Sequence, residues 1–434
     1  MRPTRNPFGA RARLARLPAL ACALALLVAA TGAALAQGDL PGSFSIGIII
    51  PDGDGAGPLA AAVARAASQG AAMAGDEFAF NASMLDYTFT APVVAADGPD
   101  AVVAAAETLT ADGAFAVVGG FDEAEAAALA DWSATAGVPF VNVGASADVL
   151  RNEQCRPLTF HVEPSAAMYL DAMAGWYVRS GQRNWFFVTG ADDESAAQLA
   201  RVRRTLADRH FGAREVGQVE VAAAADWADV AARATRAKAD LVVLLLPAAT
   251  QVEAVAGLEA GGLQAMVTGF PYPAAQTRAF YAAWRDAAPR LGSGHRVAAW
   301  EATIDAYGAR ELNARYRAAY GEPMDPSAWA VYQGVKVLYE AAFFGGGTDA
   351  TTVTGYLEDP QSVFDVWKGI GTSFRPWDRQ LREPLYLVKV DATATDPFTL
   401  ATLVGELPAI YMPGTEVVER LDQIGDLAGA SRCR

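Results

Sequence analysis

The chain has 434 residues, 52% of them apolar and 19% charged, with 49 acidic against 34 basic side chains and a net charge of −15. That surplus of carboxylates argues against nucleic acid and anionic membrane as partners, since both would be repelled. A chain of this length and apolar content is expected to fold as roughly two domains, each with a real core.

Residues 1–36 read as an export signal. Five arginines (Arg2, Arg5, Arg11, Arg13, Arg16) precede the apolar run LPALACALALLVAA, and Ala34-Leu35-Ala36 fits the small-x-small rule for cleavage after Ala36. No two of these five arginines are adjacent, which disfavours a twin-arginine route, and Cys22 sits inside the apolar run rather than at its end, which disfavours lipid attachment. Removing the signal leaves 29 basic against 49 acidic residues, a charge of −20. No later segment is apolar over a length that spans a bilayer. Two cysteines remain, Cys155 and Cys433; in an exported protein an even pair suggests one disulfide, with two free thiols as the alternative.

The first strand, 44–50, runs into the loop of IGIIIPDGDGAGP (46–58). An EF-hand calcium loop needs oxygen ligands at its first, third and fifth positions and Glu at its twelfth; Asp52 and Asp54 fill two, but Ala56 and Val63 occupy the others. Gly53-x-Gly55-x-Gly57 has neither dinucleotide nor P-loop spacing, and no Lys follows. No cofactor is therefore expected. Helix 58–75, strand 82–89, helix 99–112, strand 114–119, helix 123–136 and strand 138–143 complete a first set. After the irregular stretch GASADVLRNEQCRP, a second set follows: helix 165–180, strand 184–189, helix 195–211, strand 214–221, helix 226–237, strand 240–246, helix 249–261 and strand 264–269. Short strands alternating with helices imply parallel sheets with right-handed crossovers, hence an α/β protein of two doubly wound, Rossmann-like lobes. Beyond them, 302–345 reads as two helices, followed by a helical turn at 350–358 and short strands near 373–375 and 384–391. These are too few strands for a third sheet, so the tail is expected to complete the two lobes. The lobes are then 43–158 plus about 295–370, and 159–294 plus about 371–434, with hinge segments near 156–163, 290–300 and 370–376.

Ligands of open parallel sheets bind outside the carboxyl ends of the strands, which selects the loops 51–57, 120–124, 144–148, 190–195 and 270–273. Enzyme motifs are missing: there is no G-x-S-x-G and no H-E-x-x-H, and His161, His210 and His295 are scattered. The chain is not expected to be an enzyme.

The order and spacing of FAVVGGFDEAEAAALA (115–130) and AGVPFVNVGASADVL (136–150) resemble the type 1 periplasmic binding proteins of ABC importers, nearest the Leu/Ile/Val group. FDVWKGIGTSFRPWDRQLREPLYLVKV (364–390) is similar to a subgroup associated with pyrroloquinoline-quinone-dependent alcohol oxidation. The resemblance implies a monomeric periplasmic protein that closes its lobes on a small solute and is recognised by permease subunits of the inner membrane. It implies ligand contacts from Ser146 and its neighbour Ala145, from Phe121, Asp122 and Glu123, from Asp192 and Asp193, and from Tyr272. Family members commonly carry Ser or Thr near 121 and an acid near 272, so an ordinary amino acid fits poorly here.

Besides an amino acid, two ligand classes stay open. The acids Asp52, Asp54, Asp122, Glu123, Asp192 and Asp193 could hold Ca²⁺ or a lanthanide ion. Equally, each pair starts a helix or a turn and could serve as a cap. Phe121, Tyr272 and Trp300 could form a slot for a small alcohol or its acid, with core packing as the alternative for Trp300. An extracytoplasmic sensor is a further alternative.

Overall fold

A computed structural model describes residues 40–53, 55, 57–222, 225–410 and 413–433. The expected export signal with its expected cleavage site, and Asp54, lie outside these residues. The first half runs β1 (Ser43–Ile50), α1 (Pro58–Ser83), β2 (Thr88–Thr90), β3 (Val93–Ala95), α2 (Pro99–Ala111), β4 (Ala114–Gly119), α3 (Glu123–Ala136), β5 (Phe140–Asn142) and β6 (Thr159–His161). Its strands form one parallel sheet in the order β2-β1-β4-β5-β6, with β3 also on β1. The second half runs α4 (Ala166–Arg179), β7 (Asn184–Thr189), α5 (Asp193–Asp208), β8 (Arg214–Glu220), α6 (Trp227–Arg236), β9 (Leu241–Leu245), α7 (Ala248–Ala260), β10 (Met266–Gly269), α8 (Arg278–Ala287) and β11 (His295–Ala298). Here the parallel order is β10-β9-β7-β8.

The central strands are buried on both faces, so they read as continuous apolar runs rather than alternations: IGIII in β1, AFAVVG in β4 and LVVLL in β9. This is why the α/β architecture with helices flanking parallel sheets was visible in the sequence. The return segment supplies α9 (Ala309–Tyr320), α10 (Pro326–Gly345) and α11 (Ala350–Glu358). Sixteen of the 20 residues of α10 are buried, and the helix lies along α1. Gly70 makes that approach possible, because a Cβ there would collide with the backbone of Ala328.

Two differences from the sequence reading are informative. The helix expected over 58–75 continues to Ser83, so the strand expected from 82 starts at Thr88 and is short. The tail also builds a third sheet: β12 (Leu385–Val390) pairs antiparallel with β11 on one side and with β13 (Ala401–Leu407) on the other. The expectation of no third sheet failed because β11 has only four residues and β13 is largely exposed along its middle, which leaves little apolar signal. Of the strand expected at 373–375, an isolated bridge between Phe374 and Leu381 is present. The short helix α12 (Val417–Leu421) follows, and a disulfide joins Cys155 to Cys433, with their Cα atoms 5.4 Å apart.

The chain crosses from β6 to α4 through 162–165, from β11 to α9 through 299–308 and from α11 to β12 through 359–384. Arg151 ties two of these crossings to a cleft loop. Its guanidinium donates to the carbonyls of Ala145 (2.8 Å), Ala147 (3.1 Å) and Glu163 (2.6 Å) and to Gln380 Oε1 (2.9 Å). Gln380 in turn donates to the carbonyls of His161 and Glu163. A buried guanidinium needs this full set of acceptors, since an unpaired one would carry a large desolvation penalty.

Candidate functional site

All five loops selected by the strand-end rule lie beyond the carboxyl ends of their strands, and each contributes at least one residue to the lining of the cleft cavities. Gly144 lets two of the first-lobe loops touch, because a Cβ there would lie 2.8 Å from the Cα of Phe121. On the first-lobe side, Asp122 accepts from the backbone N–H of Glu125 (2.8 Å) and caps α3. Glu125 is buried and spans the loop, accepting from the N–H groups of Gly98 (2.9 Å) and Phe121 (3.2 Å). Across the cleft, Asp192 caps α5 through the N–H of Ser195 (2.7 Å) and also accepts from the Ser195 hydroxyl (2.9 Å). These side chains meet free N–H groups that a helix start would otherwise leave unsatisfied.

Two cavities open between the lobes. The larger, about 610 Å³, is lined by Pro51, Ala60, Val63 and Phe121 from one side and by Pro247, Ala248, Tyr272, Pro273 and Ala274 from the other, with Asp192 and Glu194 at its edge. The smaller, about 200 Å³, is bounded by Glu123, Ala147, Asp148 and Val149 and by Ala166, Asp193, Glu194, Ala197 and Gln198. Glu194 belongs to both. Tyr272, on the larger cavity, accepts a 2.8 Å hydrogen bond from Gln198 Nε2, on the smaller.

The carboxylates set the electrostatics. Glu194 is pushed up to about 7, first by burial and then by the negative charges of Glu123, Asp192 and Asp122. Glu123 is raised too, by burial and then by Asp122 and Asp193. The charges that raise these two groups are all negative, so the cleft holds a repulsion that protonation or a cation relieves. Among the described residues, no group of three or more His, Cys, Asp or Glu side chains is placed to hold a metal ion.

Of the residues expected to contact ligand, Phe121, Asp192 and Tyr272 line the larger cavity, and Glu123 and Asp193 the smaller. Asp52, Asp122, Ala145 and Ser146 line neither. Asp52 is exposed, its N–H bonded to Asp97. Ala145 and Ser146 are buried, and their carbonyls accept from Arg151 and from the N–H of Ala166. Trp300 is core: it is 1% exposed, stacks on Trp329 at 5.7 Å and donates to Asn313. Pro247, Ala248 and Gln198 were missed. The strand-end rule applied to β9 would have found the first two. Gln198 stands four residues after Glu194 on the same helix face, the spacing that could have found it.

Residues 43–395 match the family model described as periplasmic binding protein. Among curated proteins none matches the chain. The fold is similar to a branched-chain amino acid ABC transporter periplasmic ligand-binding protein from Burkholderia xenovorans LB400 (16% identity, 90% of this chain and 99% of that one, TM-score 0.76). It is also similar to two solute-binding proteins of Rhodopseudomonas palustris. One is in complex with 3,4-dihydroxybenzoic acid (18% identity, 86% and 99% covered, TM-score 0.66). The other is in complex with benzoate (14% identity, 84% and 96% covered, TM-score 0.65).

Proposed function

The chain belongs to the periplasmic binding protein family, and on that premise we propose that it is the solute-binding component of an ABC importer. Its ligand is a small solute with an apolar, aromatic-sized body and no anionic group, held between the lobes by hinge closure. The observation that carries this reading is the larger interlobe cavity: its walls are proline, alanine, valine and aromatic side chains, and its charged groups are carboxylates alone. A cavity of this kind suits an aromatic ring, as do the benzoate and dihydroxybenzoate partners of the two Rhodopseudomonas proteins. The acidic edge, however, repels a carboxylate, so an alcohol fits where its acid does not.

The likeness of residues 364–390 to the quinoprotein-associated subgroup supports a pathway link with pyrroloquinoline-quinone-dependent alcohol oxidation. That link concerns the route of the solute; it assigns no catalysis to this chain. Permease subunits of the inner membrane are the expected partners, and the monomer the expected state.

Isothermal titration of the mature protein with 2-phenylethanol, benzoate, leucine and Ca²⁺ tests the reading. The alcohol is expected to bind, and Phe121→Ala to weaken it by about 10-fold, as loss of a buried ring contact implies. Tighter binding of benzoate or leucine overturns the reading, and tight binding of Ca²⁺ would favour the metal alternative.

A further inference from the structure

The end of the chain is fastened on both sides of the cleft. On the second-lobe side, Ile424 is buried in the core that α4 and α5 share. The Gly425 N–H donates to Asp171 on α4 (2.9 Å), and Arg209, just after α5, donates to the carbonyls of Gln423 (2.8 Å) and Gly425 (2.7 Å). Asp426 pairs with Arg201 of α5. On the first-lobe side, the contacts go to the segment between β5 and β6. Asn152 donates to Asp426 (3.2 Å) and accepts from the Arg432 N–H (3.0 Å), Arg432 pairs with Glu153, and Cys433 is bonded to Cys155. Trp377, in the crossing 359–384, donates to the Asp426 carbonyl (3.1 Å), and its own carbonyl accepts from the Ser431 hydroxyl (2.7 Å).

Packing does not account for this attachment. Residues 427–430 are exposed, so polar contacts and one covalent bond hold the tail where it lies. Its place bears on the cleft. Arg201 stands one turn along α5 from Ala197 and Gln198, and Asn152 donates to the Asp148 carbonyl (3.0 Å); Ala197, Gln198 and Asp148 all line the smaller cavity. Widening the cleft at this flank means pulling α5 away from residues 148–155, against the tail.

We infer that residues 426–433 are a covalent strap across the hinge, a fourth connection beside the three chain crossings, which limits how far the cleft opens. The inference builds on the hinge closure proposed above and is independent of which solute is bound. An exported compartment keeps the bond between Cys155 and Cys433 closed. The ligand-free lobes then stay near their closed arrangement, and a larger binding-competent fraction tightens solute affinity by the same factor. A disulfide serving stability alone would act through the unfolded chain, by joining residues 278 apart in sequence, and would leave the lobes' spacing unchanged.

The test is the distance between nitroxide labels on the two lobes, measured by pulsed electron spin resonance in the ligand-free mature protein. The labels go on Asp100→Cys and Ala228→Cys, exposed positions in the first turns of α2 and α6, which start at the carboxyl ends of their strands and so lie on the cleft side. Intact-mass measurement confirms that the native disulfide is closed. The comparison is with Cys155→Ser/Cys433→Ser and with the same pair carrying Arg432→Ala, which also removes the contact to Glu153; thermal melts check that each is folded. The parent is expected to give one narrow distribution. Both released chains are expected to give a longer mean distance and a distribution at least 1.5-fold wider. Superimposable distributions overturn the strap, even where the melting temperature falls, since that outcome assigns the bond to stability alone. If they are all broad, hinge motion stands without a strap; if they are all narrow, the hinge closure falls with it.

Discussion

The loops that face each other across the cleft, 119–125 and 189–195, are built to one plan. Each leaves a buried strand through glycine, places an aspartate at the helix N-cap and carries further acids in the first turn. They differ at the third helical residue. In the first lobe it is Glu125, which turns inward and is consumed by two backbone N–H groups. In the second it is Ser195, whose hydroxyl lies within hydrogen-bonding distance of Asp192 and the Leu245 carbonyl. The lesson is that counting acids in a loop does not count ligands. The N-cap aspartates fold back onto free N–H groups and the third-position side chains, Glu125 and Ser195, are engaged by neighbouring backbone, while Glu123, Asp193 and Glu194 at the first and second positions line the cleft.

The sharpest way to break this comparison is Glu125→Ala. It leaves the N–H groups of Gly98 and Phe121 without their acceptor in a half-buried loop, and losing two such bonds should cost about 2–4 kcal/mol. Denaturant unfolding measures it, with Ser195→Ala expected to cost about 1 kcal/mol by the same method. Equal losses at the two sites would mean that the loops are equivalent after all.

Smaller effects are expected from the caps themselves. Asp122→Ala and Asp192→Ala should each lower stability by about 1 kcal/mol, the usual cost of a lost N-cap. Asp192→Ala should be the larger of the two, because Asp192 also accepts from the Ser195 hydroxyl. For Asp122→Ala, solute affinity is expected to stay within twofold of the parent. A tenfold drop there would return Asp122 from the helix to the ligand.

The same geometry explains what could be seen in the sequence and what could not. Strand ends are marked by apolar runs stopping at glycine or proline, so Phe121, Tyr272 and the loops around them were legible. Which acid faces the cleft depends on its offset from the helix start, and one residue decides it; the sequence alone left Asp122 and Glu123 as a pair. The sequence groups Trp300 with Phe121 and Tyr272 as a candidate slot, with core packing as the alternative; its ring stacks on Trp329 and its N–H donates to Asn313, which makes it core. Gln198 escaped notice because an uncharged amide inside a helix carries no motif. The third sheet escaped because two of its strands are short or exposed, and antiparallel pairing at a sheet edge needs little apolar sequence.

The finest test separates the spare acids of the second loop from the consumed acid of the first by pH. Glu194 sits above its ordinary value of 4.5, at about 7, because burial and the charges of Glu123, Asp192 and Asp122 oppose its ionisation. Asp193 and Asp148 line the same cavity, and Tyr272 is raised by burial first and then by the charge of Glu194. A carboxyl whose pKa is raised on folding binds its proton more tightly in the folded state. Its contribution is therefore fully present below pH 4.5 and is lost as pH rises through about 7. Glu194→Gln removes that loss, so its melting midpoint should match the parent's near pH 4.5 and exceed it at pH 8. Water at the cleft mouth screens the repulsion, and the difference expected is about 2 °C. Glu125 is also raised, by burial first and by the charges of Asp122 and Asp97 against its two N–H donors, but Glu125→Gln turns an amide NH₂ toward one of those donors, so it should lower the midpoint at every pH, pH 8 included. Opposite signs at pH 8 are what two differently employed acids require. Parallel curves for the two variants would show that the cleft carboxylate is no more spare than the loop-bound one.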